Sequence, residues 1–209
     1  MTTTNTNIAA AAAAILGAPA EGEQEALLAV LRADLKKKFD ACRRLGLIGD
    51  REAIPTLAAL LGDEKLAHMA RYALEPIPEG AVDEALRDAL GRVKGRQLVG
   101  VIGSIGARRD AAAVGALAPF LGDGDPEVAA TAARSLGKIG TDQAAGALKE
   151  KLGIQPLVVR LAVADGCLGC AEKALAAGRK AEATALYGAV AKADLPKYIR
   201  AAAEAAAAK

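Results

Sequence analysis

Cysteine and histidine are the residue types in this sequence that could bind a metal or carry out redox chemistry, and there are three cysteines and one histidine. Cys167 and Cys170 form a Cys-x-x-Cys pair, and Cys42 and His68 would complete a set of four zinc ligands. A structural zinc site normally has a second closely spaced ligand pair, and a redox Cys-x-x-Cys normally opens a helix that follows a strand. This pair instead interrupts a run of Ala and Leu. We therefore predict small buried residues on a helix face, with a redox pair and then a metal site as the alternatives.

The sequence shows no other group of residues that is typical of a catalytic site. Acid-base and nucleophilic catalysis usually need a convergent cluster that includes His, whereas His68 is predicted to be a partly exposed residue at the start of a helix. Gly100–Gly106 lacks the spacing of a phosphate-binding loop. The acid pair Asp63 and Glu64 and the pair Asp83 and Glu84 fall at predicted helix starts, where carboxylates stabilise the helix. We predict that the chain is not an enzyme and has no cofactor.

The composition predicts a helical protein. Hydrophobic residues make up 53% of the chain, and they are mostly Ala and Leu with no Trp, two Phe and three Tyr. Ala and Leu favour helices, while strands are richer in Val, Ile, Thr and aromatic residues. The 27 Lys and Arg nearly balance the 25 Asp and Glu, so no global field attracts nucleic acid or a membrane surface. An odd number of cysteines also argues against a disulfide-linked secreted fold.

One phrase recurs along the chain and indicates an internal repeat. It reads Leu-Gly-x-Ile-Gly at Leu45–Gly49 and Leu136–Gly140, with Ile102–Gly106 as a close variant and Leu74–Pro78 as a degenerate copy. Apolar residues at helical spacing flank each copy, so each unit is predicted to be a helix, a tight turn and a second helix. We predict that each unit is one antiparallel helix pair.

Specific residues are predicted to start and stop these helices. Gly49, Gly106 and Gly140 stand where the first helix of a pair should end, because Gly adopts the left-handed conformation of a C-terminal cap readily. Pro126 suits a first helical turn. The side chains predicted to cap helix N-termini are Asp63, Asp123 and Asp125.

Residues 123–140 and their continuation to Leu148 closely resemble a HEAT repeat, with apolar residues where that motif keeps them: Val128, Ala132, Ala133, Leu136 and Ile139. The resemblance extends more weakly over residues 34–153. It implies an all-α fold of the armadillo-like α-solenoid class, an αα-superhelix of antiparallel helix pairs. His68–Pro78 is similar to HEAT modules of large, multidomain bacterial proteins, which implies that the chain is a module of a larger protein. The sequence departs from metal-dependent HEAT enzymes, because it has no His-Glu dipeptide.

The resemblance implies a protein-interaction scaffold whose partner is another protein or a peptide. Three alternatives remain open. The first is nucleic-acid binding like that of HEAT-like DNA glycosylases, and the second is a HEAT-type lyase that would depend on Cys167 or Cys170. The third is an engineered structural building block, which the Ala-rich ends suggest.

We predict three regions: Ala-rich capping helices at residues 1–33, about four HEAT-like repeats at residues 34–154, and longer TPR-like helices with an Ala-rich cap at residues 155–209. The apolar run at residues 8–16, followed by small residues 17–20, imitates a signal peptide but has no Lys or Arg before it. We therefore expect a soluble, cytoplasmic chain with no membrane partner, and export of a natural precursor is the alternative.

A binding face is predicted on the second helix of each pair, because these helices generally line the concave side of a solenoid. They should span about residues 51–61, 79–90, 109–121 and 142–152. Interleaved acids leave an ordinary solvated face as the alternative. The predicted basic stripe consists of Arg51, Arg87, Arg108, Arg109 and Lys149.

Overall fold

The computed structural model describes residues 22–31 and 35–208, apart from the side chains of residues 35–37. These residues form α-helices and short 3-10 turns, without a strand among them, which confirms the all-α prediction. The apolar run at residues 8–16 lies outside the described residues. None of the helices described is long and apolar enough to cross a membrane. The helices are α1 Glu23–Val30, α2 Leu35–Ile48, α3 Ile54–Ala59, α4 Ala67–Leu74, α5 Gly80–Ala89, α6 Gly95–Arg108, α7 Val114–Leu117, α8 Pro126–Ile139, α9 Asp142–Glu150, α10 Leu157–Ala176, α11 Lys180–Lys192 and α12 Lys197–Ala207.

The chain divides into two compact units, residues 1–93 and 94–209. In the first unit, the first helices of successive pairs, α2 and α4, pack on each other, and α3 packs on α4 and α5. In the second unit, α6, α8 and α10 form a row of first helices, each packed on the next. Helix α9 packs on α8 and α10, α11 packs on α10, and α12 packs on α11. The helix pairs are therefore present, while the predicted region boundaries after residues 33 and 154 stay predictions.

The start and end of α8 follow the predicted capping residues. The Asp125 carboxylate accepts a hydrogen bond from the Glu127 N–H at 2.8 Å, and Pro126 occupies the first turn. At the other end, Gly140 has a φ of 69° in the left-handed region. The Thr141 hydroxyl then caps α9 by accepting from the Ala144 N–H at 3.2 Å. These contacts satisfy backbone groups that helix ends leave unpaired.

The prediction that Gly106 ends a helix is wrong. Helix α6 continues to Arg108, and Arg109 ends it with a φ of 57°. Gly106 instead allows a close approach to α8, because a Cβ atom at this position would lie 2.5 Å from the Ser135 Oγ atom. The Ser135 hydroxyl donates to the carbonyl oxygen of Ile102 at 2.9 Å across the same contact. The predicted second helix at residues 109–121 accordingly starts later, as 3-10 turns on either side of the short α7.

Arg109 is the non-glycine residue with positive φ among those described, and it gives a direct test of backbone strain. A left-handed L-residue costs roughly 1–2 kcal/mol, whereas Gly adopts this conformation freely but loses more entropy on folding, by roughly 0.5–1 kcal/mol. We expect Arg109→Gly to raise the free energy of unfolding by about 0.5–1 kcal/mol in urea titrations. The control Arg134→Gly, in the exposed interior of α8, should lower it by about 1 kcal/mol. A less stable Arg109→Gly variant would contradict the strain.

Candidate grooves of the second unit

The predicted basic residues occupy different elements of the two units. Arg51 begins a 3-10 turn before α3, and Arg87 lies in α5, both in the first unit. In the second unit, Arg108 is the last residue of α6, Arg109 is its cap, and Lys149 lies in α9. Arg109 and Lys149 line two different grooves. The predicted residues of the second unit therefore do not lie on one surface. Because α6 extends to residue 108, Arg109 lies among the first helices, whereas Lys149 lies on a second helix.

One groove lies between α9 and α11 above α10, and we call it the second-helix groove. Its volume is about 190 Å³. Helix α9 contributes residues at positions i, i+3, i+4 and i+7, which share one helix face, and α10 supplies the floor. The lining residues are Gly140, Thr141, Asp142, Ala145, Gly146, Lys149, Cys170, Ala174, Arg179, Glu182, Ala185 and Leu186.

Charge is distributed unevenly along the second-helix groove. At one end, Arg179 pairs with Asp142 and, at 2.6 Å, with Glu182. These contacts tie the turn before α11 to the start of α9 and leave Arg179 balanced by two acids. Lys149 lies two turns further along α9 and forms no ion pair within the described part of the chain. The middle of the groove is lined by Ala, Gly and Leu, so the groove joins an apolar centre to one available cation.

A second groove lies between α8 and α10 on the opposite side of α10, and we call it the basic groove. Its volume is about 380 Å³, and four cationic and two anionic side chains line it. Arg109, Arg134 and Lys138 form no ion pair in the regions that the structure describes, and neither do the two acids. The lining residues are Arg109, Arg134, Gly137, Lys138, Asp165, Gly166, Leu168, Gly169, Glu172 and Lys173.

The floor of the basic groove is backbone, because glycines bring α8 and α10 together. A Cβ atom at Gly137 would lie 2.6 Å from the Gly166 Cα atom, and one at Gly166 would lie 2.6 Å from the Ala133 carbonyl oxygen. Lys173 closes one end by donating to the carbonyl oxygens of Lys138 and Ile139, the latter at 3.3 Å. These are carbonyl groups at the end of α8, where a cation is stabilising.

Lys173 and Arg109 lie close enough at this end of the basic groove for their charges to interact. Partial burial lowers the pKa of Lys173, and the nearby charge of Arg109 lowers it further. Arg134 and Lys138 are four residues apart on α8 and therefore lie on the same helix face. Arg134, Lys138 and Lys173 are not among the predicted binding residues, because they lie on first helices and the predicted binding face lies on second helices. The sequence signal that could have indicated this groove is the i, i+4 spacing of Arg134 and Lys138 on a first helix.

Cys167 and Cys170 are buried, as predicted, and Cys42 is buried as well. Cys42, Cys167 and Cys170 are at most 2% exposed, and the last two lie on one helix, α10. Burial raises the pKa of Cys42 to about 11, of Cys167 to about 12 and of Cys170 to about 11. Because the thiolate is the reactive form, these environments suppress nucleophilic and redox chemistry. Within the described residues, no cluster of three or more His, Cys, Asp or Glu side chains is arranged to hold a metal ion.

Three solved structures are similar to this chain, and the first of them supports the fold. The chain is 19% identical to an engineered protein, with a TM-score of 0.55 over 89% of this chain and 95% of the other. It is 18% identical to human deoxyhypusine hydroxylase in complex with glycerol, with a TM-score of 0.48 over the same shares of the two chains, 89% and 95%. A second engineered protein is 21% identical, with a TM-score of 0.47 over 88% of this chain and 57% of the other. No curated protein matches the sequence.

The sequence comparison identifies the repeat itself. The family model of HEAT repeats matches residues 80–166. This segment extends from α5 into α10 and includes the pair α8 and α9, where the sequence resemblance is strongest. Residues 80–166 therefore resemble HEAT repeats, which agrees with the row of first helices in the second unit.

Proposed function

We propose that the chain is a non-enzymatic scaffold that binds a short segment of another protein in the second-helix groove. HEAT repeats generally mediate protein–protein interaction. The single observation that carries the proposal is the apolar groove between α9 and α11, with the unpaired Lys149 at its edge.

The size of the groove favours one anchoring side chain over a cofactor. Small-molecule sites usually measure about 300–1,000 Å³, and this groove measures about 190 Å³. Ala145, Ala185 and Leu186 supply apolar contact for such an anchor. An aliphatic side chain of the partner gains free energy by leaving water here, because burial contributes roughly 25 cal/mol per Å² of apolar surface.

The charge of the groove favours an acidic residue beside that anchor. Arg179 is already balanced by Asp142 and Glu182, so Lys149 is the lining cation that remains for a ligand carboxylate. The ligand proposed is therefore a peptide with an aliphatic residue next to Asp or Glu. We further propose that the chain is a module of a larger bacterial protein, on the resemblance of residues 68–78 to such modules.

A groove-filling variant tests the proposal. Gly146 lines the second-helix groove and has open space where a Cβ atom would stand, so Gly146→Leu should fill the groove without disturbing the helix packing. Gly188 in α11 is equally open but lines neither groove, which makes Gly188→Leu the matched control. Peptides selected from a displayed random library on the unsubstituted chain should bind Gly188→Leu equally and Gly146→Leu at least about tenfold more weakly, a difference of about 1.4 kcal/mol.

Two outcomes would contradict this function. Selected peptides that bind Gly146→Leu with full affinity would place the binding surface elsewhere, and Glu substitutions at Arg51, Arg87 and Arg108 would then test the predicted stripe. A pull-down from a bacterial lysate that yields only nuclease-sensitive material would instead support nucleic-acid binding.

Lys149→Glu should reduce affinity for those selected peptides that carry an acidic residue.

A further inference from the structure

The basic groove lies on the other side of α10 from the second-helix groove, and the proposed function does not use it. Asp165, Leu168 and Glu172 of α10 face the basic groove, while Cys170 and Ala174 face the other one. Four cations and two acids line the basic groove, so its walls carry a net charge of +2. An anionic ligand is therefore attracted to this surface.

The backbone at Arg109 is a second observation that points to a ligand. A left-handed conformation would suit Gly, yet an arginine stands there with a φ of 57° and its side chain lines the groove. Strained residues that persist in a fold often serve a binding or catalytic role. The guanidinium groups of Arg109 and Arg134 have a planar geometry that matches a carboxylate or a phosphate with two hydrogen bonds.

The two acids in the wall decide between anionic ligands. Asp165 and Glu172 repel a phosphate dianion more strongly than a single carboxylate, because the dianion carries two charges on one group. They can also accept hydrogen bonds from N–H groups, which a peptide supplies and a phosphate chain does not. Gly137, Gly166 and Gly169 pack against the facing helix and add no side chains to the floor of the groove.

We propose that the basic groove binds an acidic segment of a partner protein, with Arg109, Arg134 and Lys138 contacting its carboxylates. Lys173 is committed to the end of α8 and acts as a fixed positive charge at one end of the groove. The groove is separate from the second-helix groove, so the two binding events occur on two faces of the same unit.

The test measures fluorescence anisotropy of a labelled oligo-glutamate peptide with the full chain. We expect binding that weakens as salt rises, because the screening length falls from about 10 Å at 0.1 M to about 3 Å at 1 M ionic strength. The double variant Arg134→Gln/Lys138→Gln should bind at least about tenfold more weakly, since it removes two charge-assisted contacts. Lys192→Gln, an exposed cation of α11 outside both grooves, is the matched control and should bind like the unsubstituted chain.

Two further variants separate binding from stability. Arg109→Gly should weaken peptide binding while its unfolding midpoint stays the same or rises, which a purely structural arginine would not do. Asp165→Asn should tighten binding by about threefold, because it removes a repulsive charge from the wall.

Three results would overturn the proposal. The first is unchanged affinity in the double variant. The second is tighter binding of a phosphoserine peptide or of single-stranded DNA than of oligo-glutamate, with the same dependence on Arg134 and Lys138. The third is loss of oligo-glutamate binding in Gly146→Leu, which would assign the peptide to the second-helix groove. Since Gly146→Leu leaves the basic groove intact, failure of the proposed function does not affect this test.

Discussion

Adding one methyl group at Gly137 should destabilise the second unit, and the same change at Gly103 should not. A Cβ atom at Gly137 would lie 2.6 Å from the Gly166 Cα atom and 2.9 Å from the Gly166 carbonyl oxygen, which are backbone atoms that cannot rotate away. Such overpacking costs about 1–3 kcal/mol and sometimes more. We expect Gly137→Ala to lower the free energy of unfolding by about 2 kcal/mol, and the melting temperature by roughly 4–8 °C.

Gly103 provides the matched control because it lies inside α6, and nothing stands within 4 Å of the place that an added methyl group would take. Ala is preferred over Gly in a helix by about 0.8–1.0 kcal/mol, so Gly103→Ala should raise the melting temperature. The measurement is thermal unfolding followed by circular dichroism. Equal shifts for both variants would show that α8 and α10 are not in backbone contact at Gly137.

The second large effect concerns the three thiols. At pH 8 in the folded chain, they should react with a disulfide reagent at least about a hundredfold more slowly than in denaturant. The reason is that burial raises each thiol pKa, to about 12 for Cys167 and about 11 for Cys42 and Cys170, from an ordinary value of 9.0. Each unit of pKa reduces the thiolate fraction about tenfold. Absorbance of the released thiolate should report three reactive thiols only after unfolding.

The same pKa shifts set a direction for stability against pH. A raised thiol pKa means that the folded state keeps its proton when the unfolded state has lost it. The stabilising contribution of these buried thiols is therefore complete below pH 9 and declines as pH rises toward 11–12. Replacing all three cysteines with Ala should flatten this decline in urea titrations. Rapid reaction of Cys167 or Cys170 in the folded chain would instead support the redox alternative.

The sequence predicts a helix boundary correctly where a residue type has a single structural role. Asp125 and Pro126 form a helix start in almost any context, and they start α8. Gly106 and Gly140 occupy the same place in the repeat phrase, yet Gly140 adopts a left-handed conformation and Gly106 packs against Ser135. The sequence alone cannot distinguish these roles, because both need a residue without a side chain.

The candidate sites were predictable only in part for a related reason. Lys149 follows from the general rule that second helices form the binding side. Arg134 and Lys138 look like an ordinary solvated face until Gly137 and Gly166 bring α8 and α10 close enough to form a groove. A groove is a property of two elements and their distance, whereas the charge pattern belongs to each element separately.

The contacts between first helices also mean that the repeats of the second unit are not interchangeable parts. Gly106 of α6 meets Ser135 of α8, which donates to Ile102, whereas Gly137 of α8 meets another glycine, Gly166 of α10. The residue at each contact is matched to its own spacing, because Ser135 fits against Ile102, whereas a serine at position 166 would bring a Cβ atom to 2.6 Å from the Ala133 carbonyl oxygen. A change at one of these positions therefore has to be judged against its own neighbour and not against the equivalent position of the next repeat.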